Sequence, residues 1–560
     1  MTTPVQNQHT IAPECAALIE SASKWLQSIA PGAKLTSDSR RVDPGDVFFA
    51  YAPAMMGLAM STTALVDSKT FDARAFIPDA IERGARAVMF DDRGYDLAPE
   101  YKIPYFACPD LQSIAGLIAN AHYAKPDDAM FSVAVTGTNG KTTCTQWLGA
   151  ALSRCGIPTA VIGTFGIGLF KEGRAPAFNE TGYTTPDAVQ LQEALMGLHQ
   201  RGAAALAIEA SSIGLQQQRL RGLHVDVALF TNLTRDHLDY HGDIAAYEAA
   251  KTALFSWPGL QHAVLNLDDP MGQRLLMQLR DTMPDTSVTG YGLHPDTFTA
   301  VLAAESAPQL HASEFGNVHK NTETRYLIAS DIVHSQAGTQ FQLQIISAPT
   351  NAKVTVKTQL IGDFNVSNVL GVIGVLLAKG FNFTTAVNAI EALEPVAGRM
   401  QQIGGLNQPL VVIDYAHTPD ALEKTLIALR KLAQERRGAL WCVFGCGGGR
   451  DAGKRPQMGA ISQQADHVIV TSDNPRHETP AAIIADIVAG FSRGDTPQVI
   501  EDRASAILWA LRHATKNDVV LLAGKGHENY QEIKGRKYQF LDADHAAIAL
   551  AARATMKGPD

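Results

Sequence analysis

Eight short apolar runs constrain the fold of this 560-residue chain more than any other feature. They are FSVAVTG (131–137), AALAIEASS (204–212), VDVALFTNL (225–233), AVLNLDD (263–269), PLVVIDYAH (409–417), LWCVFGCGG (440–448), HVIVTSDNP (467–475) and DVVLLAGKG (518–526). Helical patterns alternate with them. Runs of this length that end in Gly, Asp, Asn or Thr predict buried parallel strands with ligand-binding loops at their carboxyl ends, and so an α/β fold. The chain is too long for one core, which predicts two to four domains. A polar, Pro-containing stretch at 123–128 and a second break at 394–399 divide it into 1–128, 129–397 and 398–560. Residues of roughly 300–345, mixed and polar, read as a small antiparallel excursion within the middle domain.

An apolar fraction of 46% and a charged fraction of 18% describe a well-packed globular protein. A net charge of -9, thinly spread, argues against a nucleic-acid binder, which would carry a basic face. The six cysteines form no disulfide framework or zinc spacing, and the close pair Cys442 and Cys446 is a weak metal candidate. The N-terminus shows no secretory signal, and no apolar run approaches the ~20 residues that span a bilayer. A cytoplasmic enzyme without a membrane span is expected.

The strand FSVAV runs into Thr136-Gly137-Thr138-Asn139-Gly140-Lys141-Thr142-Thr143 and then a helix, the context a phosphate loop requires. Backbone N–H groups can wrap phosphates there, Lys141 can reach the β/γ oxygens, and Thr142 can ligate Mg²⁺. Val135 stands where the longer form of the loop has its first Gly. Glu209 ends an otherwise apolar strand, where a carboxylate is costly unless paired or metal-bound. Asn232, Asp236, His237, Asp239 and His241 cluster after another strand, either as a polar loop with a capped helix start or as groups managing metal. With no Cys in the cluster, Mg²⁺ suits it better than zinc.

These motifs, taken in order with others, resemble the Mur ligase family. The resemblance runs from about Asp38 to Asp544 and includes DSR (38–40), TTPD (184–187), EASS…R (209–219), FTNLTRDHLDYHG (230–242), YEAAK (247–251), GDFNVSN (362–368), GRM (398–400), DYAHTPDALE (414–423), FGCGGGRDAGKRP (444–456), DNPR (473–476) and GKGHE (524–528). It implies a uridine-binding N-terminal α/β domain, a central P-loop ATPase domain with a mostly parallel sheet, and a Rossmann-like C-terminal domain. It also implies ATP-dependent amide formation on UDP-N-acetylmuramoyl-L-alanyl-D-glutamate, through an acyl phosphate, by a monomer.

The same resemblance suggests roles for individual residues. Gly137, Thr138, Asn139, Gly140, Lys141, Thr142 and Thr143, with Asn365, Arg399, Asp414 and His417, would bind ATP. Asn365 by itself could equally cap a helix. Glu209 and His237 resemble the family's Mg²⁺ ligands, with Thr142 nearby. Lys251, by itself a solvated lysine on a helix, matches a lysine that the family carbamylates to help hold a second Mg²⁺. Ser39, Thr184, Thr185, Ser211, Gln217 and Arg219 resemble contacts to the UDP-muramoyl dipeptide, although Arg219 alone reads as a surface charge.

The implied amine is meso-2,6-diaminopimelate, whose far end carries an ammonium and a carboxylate. Arg476 of Asp473-Asn474-Pro475-Arg476, with Arg450, would grip the carboxylate, since a guanidinium fork matches it bidentately. Glu528 would accept from the ammonium, and Gly524 would let backbone approach closely. By itself DNPR is a polar turn. Lysine-adding members lack this Arg, so a lysine-adding ligase is the rival within the class. A nucleotide-binding scaffold and a folylpolyglutamate synthase are the rivals outside it. The chain departs from the family in three places: a longer, Met-rich stretch after Ala52, with Ala54 to Asp67 a lid or extra surface; Ile213 where His is usual; and Tyr183 where Asn is common.

Overall fold

The computed structural model describes residues 13–52, 72–298, 324–335, 337–347, 350–492, 494 and 496–556. The Ala54 to Asp67 stretch lies outside them. The described strands sort by chain position into three main sheets and one hairpin. Leu35–Thr36, Val47–Ala50, Ala87–Phe90 and Tyr105–Ala107 form the first, all parallel and in chain order.

The central sheet has seven parallel strands, in the order Thr324–Ser335, Ser287–Gly292, His262–Asn266, Val227–Phe230, Phe131–Thr136, Ala205–Glu209 and Thr159–Gly163. Antiparallel strands extend both edges, Gly166–Phe170 on one side and Gly338–Ser347 with Thr350–Thr358 on the other. The antiparallel excursion thus runs on to Thr358, past the end its sequence suggested. Buried and more accessible positions alternate along the second half of Thr324–Ser335 and through Gly338–Ser347, so polar residues interrupt the apolar pattern there.

Side-chain alternation puts a core on each face of the central sheet. Val133 and Val135 point to one side, with the helix Lys141–Arg154 and the almost wholly apolar helix Asp363–Ala378. Ala134, Leu206 and Ile208 point to the other. Each fully buried Val, Leu or Ile in these layers contributes about 1.5–3 kcal/mol.

The third sheet repeats the plan. After an antiparallel edge strand, Gln401–Gly404, come parallel strands Leu410–Asp414, Val519–Ala523, Leu440–Phe444, His467–Val470 and Gln498–Val499. Leu410, Val412, Cys442 and Phe444 pack beneath the helix Pro419–Glu435, while Val411, Ile413, Trp441 and Val443 face the helices Arg503–His513 and Asp542–Met556. Between the latter two helices Arg503 and Asp542 form a fully buried ion pair, with Nε and a terminal nitrogen at 2.8 and 2.7 Å from the two carboxylate oxygens. All six cysteines are free.

Register decides where ligands can meet these sheets. Val135 pairs with Glu209 and Thr136 with Phe230, so the phosphate loop, Glu209 and the segment after Phe230 leave the central sheet at one edge. In the third sheet Ala523 pairs with both Asp414 and Phe444, and Phe444 with Val470. The loops bearing His417, Arg450, Arg476 and Glu528 therefore share an edge too.

Candidate active site

The phosphate loop is held from outside by the segment after Val227–Phe230. Thr138 N–H donates to the Asn232 carbonyl at 2.8 Å, Asn139 N–H to the Asn232 side chain at 2.9 Å, and Thr231 Oγ1 to the Asn139 carbonyl at 2.6 Å. Gly137 has φ +147°, and a side chain there would strike Thr231, so only glycine fits the approach. Gly140, φ +87°, starts the helix carrying Thr142 and Thr143, both buried. Lys141 Nζ arches back over the loop and donates to the carbonyls of Gly137 and Thr138, each at 2.8 Å.

Glu209 is buried at the end of its strand. Its carboxylate accepts from Thr164 N–H at 2.8 Å, Thr142 Oγ1 at 3.0 Å and Thr164 Oγ1 at 3.2 Å. Thr164 has no sequence signal, being one polar residue in a turn.

Lys251 overturns its surface reading. The helix Ile244–Thr252 turns Tyr247 and Lys251 inward, one turn apart, and Lys251 is 1% exposed. Its amine donates to the Gly137 carbonyl at 2.8 Å and lies 4.4 Å from the centre of the Tyr247 ring. Burial, reinforced by the nearby Lys141 charge, drives its pKa well below that of an ordinary lysine. His237 sits at φ +54°, with its ring Nε2 3.5 Å from the Asp236 carboxylate. Burial also lowers the His237 pKa, against the pull of Asp236.

Beside Glu209, Thr185 is buried and works inward: its hydroxyl donates to the Glu209 carbonyl at 2.7 Å and lies 2.9 Å from Ser211 Oγ. Ser211 also caps the helix Ser212–Gln216. Thr184 Oγ1 lies 3.3 Å from Thr164 Oγ1. Arg219 is a built group rather than a loose surface charge. It donates to the Thr185 carbonyl at 2.8 Å and to Gln217 Oε1 at 2.6 Å, and it stacks over the exposed Tyr183 ring at 4.7 Å. Ser39 is the buried residue of the turn Ser39–Arg41, and nearby Ser37 donates to Asp187 of TTPD at 2.8 Å.

The third sheet brings a second set of groups to the phosphate loop. Arg399 lies over the Tyr415 ring at 4.1 Å and reaches Thr142 Oγ1 at 3.3 Å. Asp414 is buried and accepts from Met400 and Ala416 N–H, both at 2.8 Å. Burial lowers the His417 pKa to about 4, so its ring is neutral. Asn365 does not cap its helix. Gly362 occupies that position, and the Asn365 side chain donates to the Ile361 carbonyl at 2.8 Å. Asn139 Nδ2, 3.3 Å from Asp420, joins the loop to the helix Pro419–Glu435.

DNPR is more than a turn. Arg476, at φ +53°, is pinned by the hairpin Tyr530–Ile533/Arg536–Gln539: its N–H donates to the Glu532 carbonyl at 3.0 Å, and its own carbonyl accepts from Lys534 N–H at 2.6 Å. Its guanidinium donates to the Gly448 carbonyl at 2.7 Å and lies 3.4 Å from the Glu532 carboxylate. Asn474 Nδ2 donates to Glu528 at 2.8 Å, joining DNPR to GKGHE. The Pro475 carbonyl accepts from Glu478 N–H, and Gly524, φ +107°, passes close to the Asp473 carboxylate. Arg450 is exposed at the end of the loop that wraps Arg476. Glu532, outside every motif, was not legible in the sequence. Arg455 falls within FGCGGGRDAGKRP but carried no role there; it braces that loop through Glu478 at 2.8 Å.

Residues 135–376 match the Mur ligase middle domain, and residues 398–526 match the Mur ligase glutamate ligase domain. The UDP-N-acetylmuramoyl-L-alanyl-D-glutamate–2,6-diaminopimelate ligase of Janthinobacterium sp. (strain Marseille) is 57% identical over 96% of this chain and 97% of its own length. The protein of the same name from Ralstonia nicotianae is 45% identical over 98% of each. A solved structure of a ligase of that name is 34% identical, with a TM-score of 0.58 over 93% of this chain and 95% of its own. The MurF ligase of Thermotoga maritima, solved with ADP, shares the fold at 17% identity and a TM-score of 0.57, covering 94% of this chain and 99% of its own. The chain belongs to the Mur ligase family.

Proposed function

We infer that this chain joins meso-2,6-diaminopimelate to the D-glutamate of UDP-N-acetylmuramoyl-L-alanyl-D-glutamate, coupled to ATP cleavage, in peptidoglycan precursor synthesis. The observation that carries this is the 57% identity, over 96% of the chain, to a ligase named for that reaction. In the reaction the γ-phosphoryl of ATP passes to the D-glutamate carboxylate. The diaminopimelate amine then attacks the acyl phosphate, and phosphate leaves.

Negative charge accumulates on phosphoryl oxygens throughout, so fixed donors and cations carry the catalysis. The loop N–H groups and Lys141 are suited to the β and γ phosphates, and Arg399 approaches from the other sheet. Asn365, Asp414 and His417 would complete the nucleotide site. Thr142 and the buried Glu209 are in contact, 3.0 Å apart, and one carboxylate plus one hydroxyl fits a Mg²⁺ completed by phosphates and water, with His237 and a carbamylated Lys251 as further ligands. When bound, Mg²⁺ would neutralise phosphoryl charge.

Ser39, Thr184, Thr185, Ser211, Gln217 and Arg219 would position the UDP-muramoyl dipeptide. Arg476 and Arg450 would take the far carboxylate of diaminopimelate, and Glu528 its far ammonium. The reading takes one chain in the cytoplasm as the working unit. No helix among the described residues is long and apolar enough to cross a membrane. The test is ATP-dependent phosphate release with the UDP-muramoyl dipeptide, comparing meso-diaminopimelate with L-lysine. Turnover with diaminopimelate alone is expected. Equal use of lysine would overturn the amine assignment, and no turnover with either would overturn the ligase.

A further inference from the structure

Lys525 is the most deeply buried cation at the edge of the third sheet, at 0% exposure, and it has no part in the chemistry described so far. It follows Gly524, whose φ of +107° glycine adopts without strain. Its amine donates to Glu528 Oε2 at 3.1 Å and to Asn474 Oδ1 at 3.2 Å, and lies 5.7 Å from the Tyr530 ring centre. Asn474 Nδ2 donates to the same Glu528 oxygen at 2.8 Å. Two donors therefore load Oε2, and no described residue donates to Oε1. The carboxylate is fixed in rotation with one oxygen committed and the other presented.

Charge points the same way. Burial and the neighbouring Asp473 carboxylate both push the Glu528 pKa up, and Lys525 and Asn474 oppose them. Among the described residues Tyr415 and Arg503 also interact electrostatically with Glu528, Arg503 being already paired with Asp542. Among the described residues Lys525 is thus the one cation in contact with Glu528 and not otherwise neutralised. Two buried carboxylates against one such cation leave a net negative subsite, which suits an arriving ammonium.

We propose that Lys525 is a positioning and specificity residue: it holds Glu528 ionised, with Oε1 aimed outward, so that the amine substrate is selected for a cationic group at its far end. Lys525 does not touch substrate and acts through Glu528. The inference rests on the assignment of Glu528 to the far ammonium.

The experiment compares meso-diaminopimelate with 2-aminopimelate, which keeps the far carboxylate and lacks the far ammonium. The wild type is expected to prefer diaminopimelate in kcat/KM. Lys525→Met should cut that preference about tenfold or more, the scale of a charge-assisted hydrogen bond. The KM values for ATP and the dipeptide should stay unchanged. The acid limb of kcat/KM for diaminopimelate should move to higher pH, because Glu528 without its cation takes up a proton more readily. Lys525→Gln, neutral but still a donor, should behave like Met, and it carries the comparison if Met does not fold. Loss of both amines in equal proportion, or a parallel rise in all three KM values, would overturn the proposal. Glu528→Gln separates the two levels. If it keeps the preference, the assignment of Glu528 itself fails. If it loses the preference while both Lys525 variants keep it, only the role of Lys525 fails.

Discussion

The amines of Lys141 and Lys251 meet at a single oxygen: both donate 2.8 Å hydrogen bonds to the carbonyl of Gly137. Two ammonium groups in one buried spot repel each other, and burial already disfavours both charges. Lys251 is the more perturbed, which favours its neutral amine over its ammonium form. A neutral amine can add CO₂ and lose a proton, which replaces the second cation with an anion beside Lys141. With ¹³C-bicarbonate, a carbamate resonance is expected in the wild type and absent in Lys251→Met. That variant should lose about 100-fold or more in kcat. A wild-type spectrum without the resonance, or a fully active Lys251→Met, would remove carbamylation from the account.

Both the fold and the phosphate loop were legible because buried parallel strands write themselves as continuous apolar runs. All eight runs became strands of two sheets. What stayed illegible was contact between distant segments. Lys251 reads as a surface residue because helical periodicity cannot say that a phosphate loop, 114 residues away in sequence, covers that face. Glu532 and Thr164 lie outside every motif and matter only through what the fold brings beside them. Asn365 was ambiguous because Asn serves helix caps and ligands alike, and only the position of Gly362 excluded the cap.

Arg476 offers a test of how the far carboxylate is held. Its guanidinium is oriented by the Gly448 carbonyl and Glu532, which leaves part of the fork for a ligand. Lysine in its place keeps the charge and loses the fork. Arg476→Lys is expected to raise KM for diaminopimelate about tenfold, and Arg476→Ala about 100-fold, on the scale of a charge-assisted pair. Steady-state kinetics at saturating ATP would read this. An Arg476→Ala enzyme with normal KM would show that the carboxylate lies elsewhere.

Acid should destabilise the fold through its buried histidines. His262 is buried against Thr289, 2.8 Å away, and burial lowers its pKa from 6.5 to about 3. Between those values the unfolded chain binds a proton that the folded chain refuses. The contribution of His262 is thus present above pH 6.5 and is lost as pH falls toward 3. His262→Gln should be less stable at neutral pH but flatten the fall in Tm between neutral and acid conditions. An unchanged slope would mean that other groups set the acid limit.

The Arg503–Asp542 pair ties two helices together beneath the carboxyl end of Val519–Ala523, where Arg503 also donates to the Ala523 carbonyl at 2.9 Å. Removing one partner leaves a buried charge uncompensated, at a cost of about 3–5 kcal/mol. Asp542→Asn should therefore lower the unfolding midpoint in urea markedly. The double change to a matched apolar pair should recover much of that loss. A single substitution without effect would show that water reaches the pair.

The sharpest test of the catalytic geometry is a single methyl group. Gly163 ends the strand beside Glu209, and its φ lies outside the left-handed region, so alanine can adopt its backbone there. A Cβ at this position would overlap the Glu209 carboxylate and lie only 2.8 Å from its Cγ. Glu209 is 1% exposed, so its carboxylate has no room to clear the methyl while keeping its present bonds. The carboxylate must leave Thr142 and Thr164 instead. Gly163→Ala is expected to cost about 100-fold or more in kcat, comparable to losing a fixed electrostatic partner of the phosphoryl group. Binding of the UDP-muramoyl dipeptide should change little. Gly197→Ala serves as the control, since it lies within the helix Ala188–Gln200 with open space around it. There the added methyl should stabilise the helix by about 0.5–1 kcal/mol and leave turnover alone. A Gly163→Ala enzyme with wild-type kcat would show that the position of Glu209 does not govern phosphoryl transfer.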